Sequence, residues 1–208
     1  MNFLEKYGLK IILILFLTFS YSITAESKKL LILGDSISAG YGLKESENWV
    51  HLLETSLRTS GKDLQIINSS ISGDTTIGGL SRIKRDLKQF RPNYVLVELG
   101  GNDALRGYPI DKIKNNLIKI IDASLEAKAY PIIMQIRIPP NYGKNYVAAF
   151  ESIYSEIAQE KSIPKLSFLL EKVALDKDLM QFDGIHPNQK AQKIIADQVK
   201  KELLNIFK

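Results

Sequence analysis

Ser36, His186 and Asp183 are the residues of this chain whose types could together carry an acyl-transfer reaction. Such chemistry needs a hydroxyl that attacks, a base that takes its proton, a group that orients the base, and donors that hold the oxyanion. Histidine is the usual base, because an imidazole ordinarily titrates near neutrality. The chain has two histidines. His51 falls inside an amphipathic helical stretch at 49–57, where a structural or surface role is the better account. His186 lies in Asp183-Gly184-Ile185-His186-Pro187-Asn188, a loop from which a side chain can reach into a cleft. Asp183, three residues earlier, can bring its carboxylate beside the imidazole and fix its tautomer. Ser36 sits in Gly34-Asp35-Ser36-Ile37-Ser38, directly after an apolar run that reads as a buried strand. A serine at the end of such a strand stands above the sheet with its hydroxyl free. Two other loops offer amide donors: Ser72-Gly73-Asp74 and Gly100-Gly101-Asn102-Asp103.

Taken singly, these groups also fit plainer roles. Asp35 or Ser36 can cap a helix, Gly73 can serve a turn, and Gly-Gly-Asn-Asp and Asp183-Gly184 are turn chemistry. His186-Pro187-Asn188 can simply begin the last helix. Together they put a hydroxyl, a glycine amide, an asparagine amide and an Asp–His pair after strands or beside the last helix, a coincidence that capping alone does not produce. Rival motifs fail on spacing. Gly34 and Gly40 enclose five residues and are followed by Tyr41, where a phosphate-binding loop needs four and then Gly-Lys-Ser/Thr. Gly40-Tyr41-Gly42 lacks the third glycine of a dinucleotide fingerprint. Ser38 stands where a Gly-x-Ser-x-Gly elbow has its last glycine. Two histidines without a paired carboxylate helix give no credible metal site.

The elements that must position these residues follow from periodicity. Short apolar runs at 28–33, 64–68, 94–99 and 131–136 read as strands, with a short fifth at 166–169. Helical stripes lie between them: Trp49, Leu52, Leu53 and Leu57; Leu80, Ile83 and Leu87; Ile113, Leu117, Ile120, Ile121 and Leu125; Val147, Phe150, Ile153, Tyr154 and Ile157; Ala191, Ile194, Ile195 and Val199. Strand–helix alternation over this length implies a parallel sheet covered on both faces. In such sheets ligands bind beyond the carboxyl ends of the strands, where the loops carrying Ser36, Gly73 and Asn102 lie.

The chain has 208 residues, 45% apolar and 25% charged, which suits one globular domain. Residues 1–25 read separately. Lys6 and Lys10 precede an apolar run at 11–19, followed by small and polar residues to Ala25, the order of a secretory signal peptide. The run is shorter than the roughly 20 residues that span a bilayer, so a retained anchor is the weaker reading, and 26–208 is the expected domain. The absence of cysteine excludes disulfides, a thiolate metal site, a cysteine nucleophile and a lipid-modified cysteine. Loss of two Lys and one Glu with 1–25 lowers the formal charge from +5 to +4. The basic residues are scattered; Lys200-Lys201 and Arg82, Lys84 and Arg85 read as solvated helix faces, not a nucleic-acid surface.

The blocks Gly34-Asp35-Ser36 (with Ile37 where leucine is common), Gly73, Gly100-x-Asn102-Asp103 and Asp183-x-x-His186, in this order, resemble those of the SGNH hydrolases, also called GDSL-like esterases. The match covers nearly all of 26–208. The resemblance implies a three-layer α/β/α sandwich around a five-stranded parallel sheet in flavodoxin-like order, with no cofactor. It implies an exported, periplasmic serine esterase that hydrolyses acyl esters and thioesters, of the lysophospholipase, acyl-CoA thioesterase or arylesterase type, through an acyl-enzyme. Ser36 would be the nucleophile, His186 the base, and Asp183 the group that orients it; the backbone amides of Ser36 and Gly73 and the side chain of Asn102 would form the oxyanion hole. The segment 74–79 would adjust to the acyl chain, with Thr75, Ile77 and Gly78 as contacts and Gly78-Gly79 lending mobility. Arg106 and Pro140 would be further contacts. Export favours a lysophospholipid or another envelope ester as substrate, with O-deacetylation of an envelope carbohydrate as the alternative. A non-catalytic lipid- or glycan-binding module on the same fold is the reading from another class, and the intact residue set speaks against it. The expected state is a monomer with no nucleic-acid partner and no membrane span once 1–25 is removed.

Overall fold

The computed structural model describes residues 27–207; the signal peptide expected at 1–25 lies outside them. Each strand is β-branched or leucine-rich, and each is followed by a helical segment. The order is β1 (Lys28–Gly34), α1 (Ser36–Ala39), α2 (Trp49–Thr59), β2 (Leu64–Asn68), α3 (Thr76–Phe90), β3 (Tyr94–Glu98), α4 (Gly101–Leu105), α5 (Ile110–Glu126), β4 (Tyr130–Met134), α6 (Lys144–Lys161), β5 (Lys165–Leu166) and α7 (Gln189–Ile206). Among the described residues the five strands form one sheet in the order β2-β1-β3-β4-β5, every neighbouring pair parallel.

A strand with helices on both faces must be apolar at every position, and Leu30, Leu31, Ile32 and Leu33 are all fully buried. Their side chains alternate between faces. Leu30 and Ile32 join Trp49, Leu53 and Leu57 of α2 and Ala191, Ile195 and Val199 of α7. Leu31 and Leu33 join Ile83 of α3, Ile120 of α5 and Phe150 of α6. The three layers expected are therefore present, with one core on each side of the sheet.

Some details depart from the expected pattern. β4 starts at Tyr130 and ends at Met134, and β5 pairs over two residues only, although Leu169 and Leu170 just beyond it are buried in the core. Leu125 and Ile194, placed on the apolar stripes by spacing, are exposed. Ser124 takes the inward position beside Leu125, its hydroxyl bonded to the Ile120 carbonyl, and Ile195 takes the one beside Ile194. Arg82 is not on a solvated face. It is buried, with its guanidinium on both Asp74 and Asp86.

Within the segment 74–79, residues 76–79 form the first turn of a fifteen-residue helix, α3. Thr75 caps it, its hydroxyl accepting from the Gly78 amide. Gly79 is where the helix lies against the sheet: a Cβ there would meet Leu99 at 2.3 Å. Glycine at 79 is what lets the helix pack this closely.

From β1 the chain runs to the edge strand β2 and returns to β3 on the other side of β1. The loops after β1 and β3 thus part at the carboxyl end of the sheet, where this class of fold makes its crevice.

Candidate active site

Asp35 and Ser36 follow β1 immediately, and Ser36 opens α1, a single turn. Asp35 caps that turn, its Oδ1 accepting from the Ile37 amide at 3.0 Å, and Gly40 closes it in the left-handed conformation at φ 76°. The capping role and the placement of Ser36 are thus parts of one feature: the cap fixes the turn on which the hydroxyl is presented.

His186 arrives from the segment before α7. A bridge between Met180 and Pro187 and the bond from the Gln181 amide to the His186 carbonyl at 2.7 Å close this loop on itself. Asp183 sits within it. Its Oδ1 accepts from the amides of Ile185 and His186 at 2.9 and 3.0 Å, and its Oδ2 lies 2.6 Å from His186 Nδ1. On the other side of the ring, Nε2 lies 2.9 Å from Ser36 Oγ. Burial pushes the Asp183 carboxyl up, but the two amides and the imidazole outweigh it and hold the group at about 2. Asp183 is therefore a carboxylate at neutral pH and only accepts. The ring proton of neutral His186 then sits on Nδ1, and the Nε2 lone pair faces the Ser36 hydroxyl. Tyr41 lies against the imidazole, ring centroids 4.5 Å apart.

Asn102 lies in the first turn of α4 beyond β3, and its Nδ2 donates to Asp35 Oδ2 at 3.1 Å. One N–H of that amide is so committed, leaving the second for another acceptor. Asp35 is buried, and this pushes its carboxyl up to about 6 against the opposing pull of the Ile37 amide. Gly73, at φ +77°, lies in the loop after β2; its carbonyl accepts from Arg106 Nη2 at 3.2 Å. The loop is tied down from behind by Arg82, which bonds Asp74 twice, at 2.8 and 3.0 Å, and also reaches the Ser69 carbonyl. On the other flank, Asp103 accepts from the Thr76 amide and hydroxyl at 2.9 and 2.6 Å. The three strand-end loops are thus joined by buried polar contacts.

Ser36, Gly73, Asn102 and His186 all line one cleft of about 830 Å³. Much of its lining is apolar, with Leu105, Ile136, Ile138, Tyr142, Phe168 and Leu170 among its residues. The cleft therefore has room and apolar surface beside the Ser36–His186–Asp183 cluster.

The model of the GDSL-like lipase/acylhydrolase family matches residues 32–194, from the middle of β1 into α7, and so includes every one of these groups. The chain belongs to that family. An arylesterase of Vibrio mimicus is 45% identical over 92% of this chain and 96% of its own length. The thioesterase 1/protease 1/lysophospholipase L1 of Escherichia coli is 44% identical over 98% of this chain and 96% of its own. Among solved structures, the psychrotrophic esterase EstA from Pseudoalteromonas sp., in a crystal structure inhibited by monoethylphosphonate, superposes with a TM-score of 0.85 at 40% identity, covering 86% of this chain and 98% of its own.

For a GDSL-family chain, the remaining expected contacts fall unevenly. Pro140 lines the cleft. Thr75, Ile77 and Gly78 belong to the cap and first turn of α3 and do not line it: Thr75 is buried in its capping role and Ile77 points to solvent. Arg106 stands at the edge, against the Gly73 carbonyl. Glu98, missed in the sequence, is 2% exposed at the end of β3 and lines the cleft beside Asp35. The available signal was a carboxylate inside an otherwise apolar strand.

Proposed function

We propose that the protein is a serine esterase of acyl esters and thioesters, in which Ser36, His186 and Asp183 form the triad. The observation that carries this reading is the unbroken path from Ser36 Oγ through both ring nitrogens of His186 to Asp183 at 2.9 and 2.6 Å. In this mechanism His186 Nε2 takes the Ser36 proton as Oγ adds to the acyl carbonyl carbon. The imidazolium so formed is stabilised by the Asp183 carboxylate. The oxyanion is held by the backbone amides of Ser36 and Gly73 and by the free N–H of Asn102. Collapse transfers the His186 proton to the leaving alcohol or thiol and leaves an acyl group on Ser36. Water, deprotonated by His186, then releases the acid and restores Ser36.

The apolar lining of the cleft and the fully exposed Leu175 within it support a long-chain substrate, a lysophospholipid in particular. Residues 1–25 act as a signal peptide and 26–208 as the enzyme, exported to the periplasm and monomeric. The relatives named for arylesterase, thioesterase and lysophospholipase activity support the substrate class.

The test is Ser36→Ala. It is expected to abolish hydrolysis of a chromogenic ester while circular dichroism and melting stay as in the parent. Full turnover by the folded variant would refute the assignment.

A further inference from the structure

Glu98 is a buried carboxyl that the mechanism above does not use. It ends β3, in register with Gly34 at the end of β1, and its side chain crosses beneath the turn that carries Ser36. Oε2 accepts from the Ser38 hydroxyl at 2.6 Å and from the Asp35 amide at 3.3 Å. One oxygen thus grips the chain on either side of Ser36. The crossing needs Gly34, because a Cβ there would lie 2.6 Å from that same oxygen. α1 is a single turn, too short to hold itself by its own hydrogen bonds, so its position is set from outside. Asp35, whose amide Glu98 holds, in turn receives the Asn102 amide on its own carboxyl.

We infer that Glu98 is a positioning residue: its buried carboxyl fixes the Ser36 turn and, through Asp35, the Asn102 donor. Burial and the Asp35 carboxyl push Glu98 well above the usual carboxylate range; the clamp itself is the pair of bonds that Oε2 accepts. The inference rests on the reading of Ser36 as nucleophile, which fails separately if Ser36→Ala keeps its turnover.

The test compares Glu98→Gln, which keeps a carbonyl acceptor of the same reach, with Glu98→Met, which keeps the bulk and removes the acceptor. With a soluble chromogenic ester, Glu98→Met is expected to lose about 10- to 100-fold in kcat, the scale of a sub-ångström to ångström misplacement of a reacting group, with KM little changed. Glu98→Gln is expected to restore kcat to within about threefold of the parent, since the clamp's acceptor returns. Ser38→Ala, which removes one of the two gripped groups and leaves Glu98 in place, is expected to give a smaller loss, again in kcat. It carries the test if Glu98→Met does not fold. Three results would overturn the inference: a folded Glu98→Met with parental kcat, a change confined to KM, or Ser38→Ala indistinguishable from the parent.

Discussion

Asp35 shows how one carboxyl serves both fold and site. It caps α1 through Oδ1 and holds Asn102 through Oδ2, and burial moves its titration from the ordinary 3.8 to about 6. The folded chain therefore binds the Asp35 proton more tightly than the unfolded chain does. That contribution to stability is fully present below the unfolded value and is lost as pH rises through the folded one. Melting temperatures of the parent minus those of Asp35→Asn should accordingly fall between about pH 4 and about pH 7; a difference that stays flat would contradict the shift. Asp183 has the opposite sign. Held at about 2, it stays ionised through the mildly acidic range, so its protonation does not set the acid limb of activity near pH 5. Asn102→Ala should lower kcat by about 10²- to 10³-fold, the usual cost of one oxyanion donor, and an effect on KM alone would assign Asn102 to substrate binding. Ser36, His186 and Asp183 stood out in the sequence as the proposed triad because they are reactive types in turn-forming contexts after strands or before the last helix. The capping role of Asp35 was open to the sequence; its hold on Asn102 and the contacts of Glu98 were not legible, because they depend on burial and cross-strand contact, which spacing does not report.

At the level of elements, the strand ends matter more than the strands. Gly34 is required where β1 passes Glu98, Ser38 and Ser70, all within 2.8 Å of a Cβ built there. Gly34→Ala should cost on the order of 1–3 kcal/mol by overpacking, read from denaturant unfolding, and should depress kcat with it. Unchanged stability would mean that the turn yields freely. The same reasoning treats α3 as a fixed wall. Its Gly79 contact with Leu99 and its Arg82 anchor to Asp74 and Asp86 should give amides at 80–87 hydrogen-exchange protection like that of β3; exchange as fast as the loop at 181–186 would restore the mobile reading. β1, β3 and β4 were legible because burial on both faces demands nearly unbroken apolar runs, and the edge strand β2 because Leu64, Ile66 and Ile67 remain apolar. β5 was blurred, since only Lys165 and Leu166 pair while the next apolar residues pack without joining the sheet. The packing role of Gly79 was not legible, because glycine at a close helix–sheet contact looks in sequence like glycine in a mobile loop.

Over the whole molecule, the sheet order β2-β1-β3-β4-β5 places Ser36 and Asn102 on the two sides of the switch point and brings His186 to them from a loop 150 residues away. Periodicity alone called for a parallel sheet; its order followed from the family resemblance, because strand order lies in crossovers and not in local spacing. The cleft's apolar lining implies a ranking of substrates: kcat/KM for a lysophospholipid should exceed that for an acetylated sugar, and the reverse would move the enzyme to carbohydrate deacetylation. The central claim is that Ser36 is the atom source of the covalent intermediate. It is tested most directly by mass spectrometry after treatment with an alkyl phosphonate ester, whose phosphorus a serine nucleophile attacks with loss of the leaving group. The expected result is one phosphonyl group per chain, on the peptide bearing Ser36, with ester hydrolysis lost in proportion. Modification at another residue, or hydrolysis that persists once Ser36 is fully modified, would contradict it.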